Sequence, residues 1–166
     1  AVSEALNEQG DVDVQVAMSG VSLRSAQRCL PSLPPCTLVD QGRGSLGARM
    51  LRQIHRARFR QQNKPVIVIG TDLADLCQND LRHAIQKLHN QPLVLGPSAD
   101  GGYWLLGLGA ALTQQQLDAL FAAVPWGSNK VLDITCARAR GLGLTPHLLS
   151  MKNDIDCLAD LHSWQR

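Results

Sequence analysis

The sequence predicts a three-layer α/β fold, with helices on both faces of a mostly parallel sheet. Three observations carry that prediction. Val66–Ile69 is an unbroken β-branched run, the mark of a strand buried on both faces. Stretches with helical spacing of apolar residues alternate with strand-like runs along the chain. The apolar share is 45% against 18% charged, and 166 residues suffice for one full core, so a single domain spanning residues 1–166 is expected.

The elements follow in order. Residues 12–18 alternate valine with polar side chains and read as a strand. A short helix over 22–30 and a short strand over 37–39 flank a loop marked by Pro31, Pro34 and Pro35. Gly44 and Ser45 open a helix whose Leu46, Met50, Ile54 and Ala57 fall on one face. Val66–Ile69 then runs into Gly70-Thr71-Asp72. A helix over about 78–89 turns Leu81, Ile85 and Leu88 inward, and strands at 93–95 and 103–108 enclose the loop from Ser98 to Gly102. Thr113 with Gln116 forms a capping box ahead of a helix burying Leu117, Leu120 and Phe121. Ser128 is the expected cap of a helix over 129–140 that stops at Gly141. Leu144–Leu149, interrupted by Pro146, reads as an edge strand, and Asp156 as the cap of a last short helix.

Charge and composition narrow the function. A net charge of +2 is too mild to argue for nucleic acid or a membrane surface as partner. No apolar run nears the roughly 20 residues that span a bilayer, and the first residues lack the pattern of a secretory signal, so a cytoplasmic protein is expected. Cys29, Cys36, Cys77, Cys136 and Cys157 are odd in number and widely spaced, which predicts free thiols rather than a disulfide framework or zinc site.

Four places could carry chemistry. Asp72 follows a strand, where ligands of α/β sheets bind. It reads either as a Mg²⁺ or Mn²⁺ ligand or as a turn residue bonding its own backbone. In Asp100-Gly101-Gly102-Tyr103 the glycine amides could face an anion and Asp100 could accept from hydroxyls, but taken alone the segment reads as a hairpin turn. Asp154 and Asp156 sit two apart in an extended segment and point to opposite sides, one toward a metal and one toward a helix start. Arg43, Arg49, Arg52, Arg56, Arg58 and Arg60 crowd one stretch without an acid. With no aromatics interleaved, they read as a solvated helix back rather than an RNA patch. Arg49 stands apart, because it follows a glycine-rich loop from which it could reach a phosphate. The five histidines show no metal spacing, and no pattern for a covalent nucleophile is present.

As a set, VIVIGTDLADL, LVLGPSADGGYWLLGL, FAAVPWGSNKVLDIT and NDIDCLADL, extended back through QGRGSLGARM, resemble a bacterial family of GT-A-like glycosyltransferases of the arsenosugar-biosynthesis type. That family is similar at a distance to MobA-type and phospholactate guanylyltransferases. The resemblance covers residues 12 to 162. It implies a nucleotide-diphospho-sugar transferase using Mg²⁺ or Mn²⁺, with a nucleotide or nucleotide sugar as partner. Asp72 would bind the metal, with Asp154 or Asp156 completing its site. Asp100 would be catalytic, and Gly70, Thr71, Gly101, Gly102, Tyr103, Trp126 and Arg49 would bind substrate, Gly47 and Arg49 matching the family's Gly-x-Arg-Met helix start. The alternatives are a nucleotidyltransferase on the same fold and a non-catalytic module.

The sequence also departs from the family. Ala74 replaces the usual proline, Cys157 a threonine, and Gly127-Ser128 a Ser-Thr pair. The family's opening strand, with its nucleotide-gripping loop, has no counterpart. In the family that strand lies between the strands like 12–18 and 66–69. Two outcomes are expected: either those flanking strands pair directly, or a second copy covers the open edge as a homodimer. Weak affinity for UDP- and GDP-sugars is expected in both cases.

Overall fold

The computed structural model describes residues 12–29, 36–71, 73 and 75–153. In chain order the elements are β1 (Gln15–Met18), α1 (Leu23–Cys29), β2 (Thr37–Asp40), α2 (Leu46–Arg60), β3 (Val66–Ile69), α3 (Gln78–Leu88), β4 (Leu93–Pro97), β5 (Tyr103–Leu108), α4 (Gln114–Phe121), α5 (Val131–Gly141) and β6 (His147–Leu148). The α/β class is as predicted, and helices cover both faces of the sheet. Asp156 and the last short helix expected there lie outside the described residues.

The core sits on β4 and β5. Successive strand residues face opposite ways, and the packing follows that rule except at Trp104 and Leu105, which share a face where the β4–β5 register shifts. Leu93, Leu95, Leu106 and Leu108 join Ile54 of α2, Leu117 and Leu120 of α4 and Cys136 of α5 on one face. Val94, Trp104 and Leu105 meet Leu81, Ala84 and Leu88 of α3 and Leu149 on the other. Each fully buried leucine contributes about 1.5–3 kcal/mol of transfer free energy, so this aliphatic pair of strands supplies the apolar burial that scarce aromatics cannot.

Strand order in the main sheet is β3-β5-β4-β6. β5 runs antiparallel to both β3 and β4, while β4 and β6 are parallel, so β3, β4 and β6 share one direction. β1 and β2 pair in parallel as a separate two-stranded sheet. Val66–Ile69 therefore differs from expectation. It is half-buried, pairs only with the antiparallel β5 among the described residues, and terminates the sheet rather than lying at its centre. No ladder joins β1 to β3 among the described residues, so the direct pairing considered from the sequence is not formed.

Helix ends follow their caps. Ser45 is extended and its side chain accepts from the Ala48 N–H, fixing the start of α2. The predicted Thr113–Gln116 box is present. Asp80 accepts from the Cys77 N–H at 2.9 Å and starts α3 in the same reciprocal way. α5 begins at Val131, later than expected, because Ser128 spends its hydroxyl on the Lys130 N–H inside the preceding turn. Two predicted inward positions move. Leu46 is 44% exposed, its neighbour Gly47 taking the buried place, and in α3 Ala84 is buried where Ile85 is only partly so. No helix among the described residues is long and apolar enough to cross a membrane. Cys36, Cys77 and Cys136 are free thiols, as expected.

β6 is the short edge strand that Pro146 predicted, and it packs edge-on against α3: the His147 and His83 rings lie 5.8 Å apart at 75°. His147 Nε2 is buried without a hydrogen-bond partner. Burial, followed by the nearby charges of Lys87 and His83, lowers the His147 pKa from its ordinary 6.5. The unfolded chain therefore takes up a proton near pH 6.5 that the folded chain refuses until lower pH. The stabilising contribution is complete above that value and lost as pH falls through it. Thermal denaturation followed between pH 7.5 and 5 should show a declining Tm for the wild type, and His147→Leu should flatten that decline. An unchanged slope in the variant would show that His147 does not carry the effect.

Candidate functional site

Because β5 runs against its neighbours, its first residues lie beside the last residues of β3, β4 and β6. The Gly70 N–H donates to Trp104 O at 3.0 Å, Pro97 pairs with Tyr103, and Ser98 bridges Lys152 in parallel. The loops after β3, β4 and β6 thus open on one carboxyl edge, which carries Gly70 and Thr71, the segment from Asp100 to Tyr103, and residues 150–153. Asp72, Ala74, Asp154, Asp156 and Cys157 lie outside the described residues.

The loops after β1 and β2 meet at the first turn of α2. Arg49 Nη1 donates to Gln41 Oε1 at 2.7 Å and to Ser19 Oγ at 3.4 Å, and Gln41 Nε2 donates to Ala17 O at 3.0 Å. Arg49 is half-buried and its Nε makes no hydrogen bond. Trp126 lies directly on Gly47 in the same turn, so a Cβ there would stand 2.0 Å from Trp126 Nε1. The indole also packs against Phe121, with centroids 5.3 Å apart, and edge-on against Tyr103 at 6.4 Å. Gly47 is thus a packing requirement, and Trp126 joins the start of α2 to the start of β5. Burial pushes the Tyr103 phenol above its usual range, so the hydroxyl stays protonated.

The Asp100 loop is built as a turn. Asp100 is exposed, and its Oδ1 accepts from the Gly102 N–H at 2.8 Å. The Gly101 N–H donates to Ser98 O at 3.2 Å and its carbonyl accepts from the Leu132 N–H at 2.9 Å. Gly101 has φ of 89°, and a Cβ there would meet Asn129 O at 2.1 Å, so the loop is pressed against the start of α5. Both glycine amides are used within the loop. It therefore offers a ligand its shape and the Asp100 carboxylate rather than free N–H groups.

The arginines are fasteners more than a solvated back. Arg52 donates to Gln41 O at 2.7 Å and Arg43 O at 2.8 Å, Arg56 to Asp40 O at 3.3 Å, and Arg58 to Leu112 O and Gly109 O at 2.6 Å each. Arg60 pairs with Asp13 at 3.5 Å. A groove of about 800 Å³ lies at the other end of α2, where Gln15, Arg56, Phe59 and Gln114 line it, away from the strand ends described above.

Asp75 and Lys152 carry no motif in the sequence, yet with Asp80 they meet at the carboxyl edge. Lys152 Nζ lies 2.9 Å from Asp80 Oδ2, 3.0 Å from Asp75 O and 3.5 Å from Asp75 Oδ2. Burial opposes the charge on Asp80, but the hydrogen bonds from Lys152 and the Cys77 N–H outweigh it and hold the carboxyl below its usual range. Among the described residues no three His, Cys, Asp or Glu side chains cluster closely enough to hold a metal. Asp75 Oδ1 is nonetheless buried and unpartnered, an oxygen acceptor left over in the loop that also carries Asp72. Hard oxygen donors of this kind suit Mg²⁺ or Mn²⁺.

Residues 2–128 match the family described as an uncharacterized protein conserved in bacteria, DUF2064. The chain belongs to this family. Its fold is similar to a protein of Desulfovibrio desulfuricans provisionally named a nucleotide-diphospho-sugar transferase, with a TM-score of 0.82 and 24% identity over 99% of this chain and 71% of that one. It is similar more distantly to a 4-diphosphocytidyl-2C-methyl-D-erythritol synthase, with a TM-score of 0.59 and 14% identity over 89% of this chain and 77% of that one. Comparison with curated proteins returns no match. At these identities the two structures establish a shared α/β fold.

The Trp126–Gly47 contact yields a test with a change of sign. Helix propensity alone would make Gly47→Ala favourable by up to about 1 kcal/mol. Against Trp126 the added methyl should instead destabilise by about 1–3 kcal/mol. In a Trp126→Ala background the same substitution should become neutral or stabilising. Urea denaturation of the four proteins measures this, and equal effects in both backgrounds would refute the contact.

Proposed function

We propose that this DUF2064 protein is a transferase acting on a nucleotide-linked substrate, a nucleotide-diphospho-sugar in the first instance, with Mg²⁺ or Mn²⁺ held by Asp72 and Asp154. The observation that carries the reading is the convergence of loops on one carboxyl edge. The strand ends of β3, β4 and β6, the start of β5 and the first turn of α2 all bring polar residues there, and that edge is where ligands bind in open α/β sheets. Its likeness in fold to the nucleotide-diphospho-sugar transferase structure supports the same reading.

The chemistry follows from the residues. A divalent cation, when bound, neutralises charge on the leaving diphosphate. Arg49, oriented by Gln41, brings a guanidinium to the first turn of α2 for an anionic group. Tyr103 and Trp126 provide an aromatic wall suited to a sugar or base. Gly70 and Thr71 let a ligand approach the backbone after β3. Asp100 is assigned the catalytic carboxylate role, with its exposed position at the edge leaving it open to a substrate hydroxyl.

The likeness to the diphosphocytidyl synthase favours one second reading, nucleotidyl transfer on the same edge. The two differ in product. Sugar transfer from UDP- or GDP-sugars with Mn²⁺ releases a nucleoside diphosphate, whereas nucleotidyl transfer from a nucleoside triphosphate releases pyrophosphate. We also propose that the protein is a homodimer in which a second copy covers the outer edge of β3, which has no ladder partner among the described residues. A monomer by light scattering at high micromolar concentration would refute it.

Asp72→Ala tests the core of the reading. A ligand lost from a metal site should abolish Mn²⁺-dependent nucleotide binding, while a strand-end loop substitution should shift Tm by less than about 3 °C. Calorimetry showing unchanged Mn²⁺–nucleotide affinity in the variant would overturn the assignment.

A further inference from the structure

The groove at the far end of α2 takes no part in the proposed transferase site. It has a volume of about 800 Å³ and is framed by Gln15 of β1, Val39 of β2, the last turns of α2 and Gln114 at the start of α4. Helical spacing builds its longest wall. His55, Arg56, Phe59 and Arg60 fall at i, i+1, i+4 and i+5, so they share one face of the helix. Phe59 is 81% exposed there, more than any other large apolar side chain among the described residues. A ring left in water forgoes the transfer free energy that burial would give it. The fold of the described residues gains nothing from placing it there.

No carboxylate lines the groove, whereas three arginines do, and the three are not equivalent. Arg58 is spent on Leu112 O and Gly109 O at 2.6 Å each, so it offers the groove only its stem and its charge. Arg56 and Arg60 are held loosely. Arg56 reaches Asp40 O at 3.3 Å and Gln53 Oε1 at 3.4 Å through Nη1 alone, and Arg60 meets Asp13 at 3.5 Å in an exposed pair. Contacts this long and this wet contribute little and exchange readily. Asp13 thus shows the chemistry of the place: an acid already rests on one of its guanidiniums. The amides are divided in the same way. Gln15 spends its nitrogen on Asp13 at 3.1 Å, and Gln114 spends its own on His55 and on Asp118. Each keeps a carbonyl oxygen able to accept a backbone N–H.

We propose that this groove docks an acidic segment of a partner protein, whose apolar side chain covers Phe59 and Val39 while its carboxylates settle on Arg56 and Arg60. An aromatic ring set among arginines, with neither lysine nor acid in the lining, is the composition of an interface core. A peptide also uses what a free anion would leave idle: the carbon wall of Phe59, Val39 and the arginine stems, and the two amide oxygens. A nucleic-acid strand needs several stacking rings along a cationic track, and one ring with two available arginines does not make one. The groove and Arg49 stand at opposite ends of α2, so a docked partner leaves the carboxyl edge open. The inference therefore stands whether or not the transferase reading does.

The experiment uses the whole chain, isotopically labelled, with short synthetic peptides as probes: glutamates carrying a leucine and a phenylalanine, the same glutamates carrying serines, and the first peptide with lysine for each glutamate. Calorimetry reads affinity and backbone amide shifts read location. The acidic apolar peptide is expected to bind best, to shift residues 55–60 with Gln15 and Gln114, and to weaken as salt is added. Phe59→Ala changes an exposed side chain, so Tm should hold while affinity falls about tenfold or more. Arg56→Glu combined with Arg60→Glu is expected to turn the preference toward the lysine peptide. Asp13→Asn removes the acid that competes for Arg60 and is expected to raise affinity about two- to fivefold, a gain that a merely structural Arg60 would not give. Absence of binding, or shifts away from the groove, overturns the inference. Equal binding of the serine peptide reduces the groove to a patch for any anion and overturns it too. Tighter binding of oligothymidylate would assign the groove to nucleic acid, and a dimer by light scattering that Phe59→Ala dissolves would assign it to a second copy. Either result replaces the partner proposed.

Discussion

The direction of β5 is the constraint on which the rest of the structure depends. Hydrogen-bonded on both edges and running against β3 and β4, it is the strand whose start, not its end, reaches the carboxyl edge. Tyr103 and Trp104 therefore stand beside Gly70, Pro97 and Ser150. Reversing β5 would put its end, at Leu108, on the edge where the candidate site lies, and its start at the opposite side of the sheet. The cost of holding this strand in place is met by its residues Trp104–Leu108, all buried, and by the two aliphatic layers that alternate along it.

Elements with strong local signals were legible in the sequence. The β-branched run at 66–69, the Thr113–Gln116 box and the strands around the Asp100 loop fall where pattern and capping chemistry put them. Burial was legible only where it depended on the element itself. Helical spacing runs the stripe on α2 through Leu46, but Trp126, eighty positions further on, takes the space over the first turn and selects Gly47 instead. Val66–Ile69 looked like a central strand because β-branched runs mark two-sided burial, yet its pairing depends on β5, whose direction no local pattern encodes. Of the candidate site, Arg49, Trp126 and the segment 100–103 were visible as residues, but their meeting at one edge was not, since contacts across the chain leave no trace in spacing. Lys152 carried no signal at all. Asp80 carries one, since its position three residues after Cys77 is that of a cap partner.

The arginines show how a charge run can read as a solvated face and yet hold structure together. Rather than forming an idle solvated face, Arg52, Arg56 and Arg58 spend donors on backbone carbonyls. Arg52 and Arg56 fasten α2 to the end of β2, Arg58 fastens it to the loop between β5 and α4, and Arg60 reaches Asp13 ahead of β1. Since no ladder joins the small sheet to the large one among the described residues, these bonds help link them, with α2 as the bridge. A planar guanidinium that can satisfy two carbonyls at once suits this work better than lysine does. It also explains why the helix can be so polar and still hold its place.

That bridge has a consequence for the edge where chemistry is proposed. Arg49 stands in the first turn of this helix, and its position is set from two sides. Gln41, at the end of β2, holds its guanidinium. Trp126, pressed on Gly47 two residues earlier, fixes the height of the first turn against the start of β5. The indole thus couples the small sheet's loop to the large sheet's edge through a helix, without a strand between them. Aromatic packing in a close-packed interior yields little before it clashes. A shift of α2 along its axis would have to displace Trp126 from Phe121 and Tyr103 together, so the turn that carries Arg49 is held by that stiffness as well as by the bond Arg49 makes to Gln41.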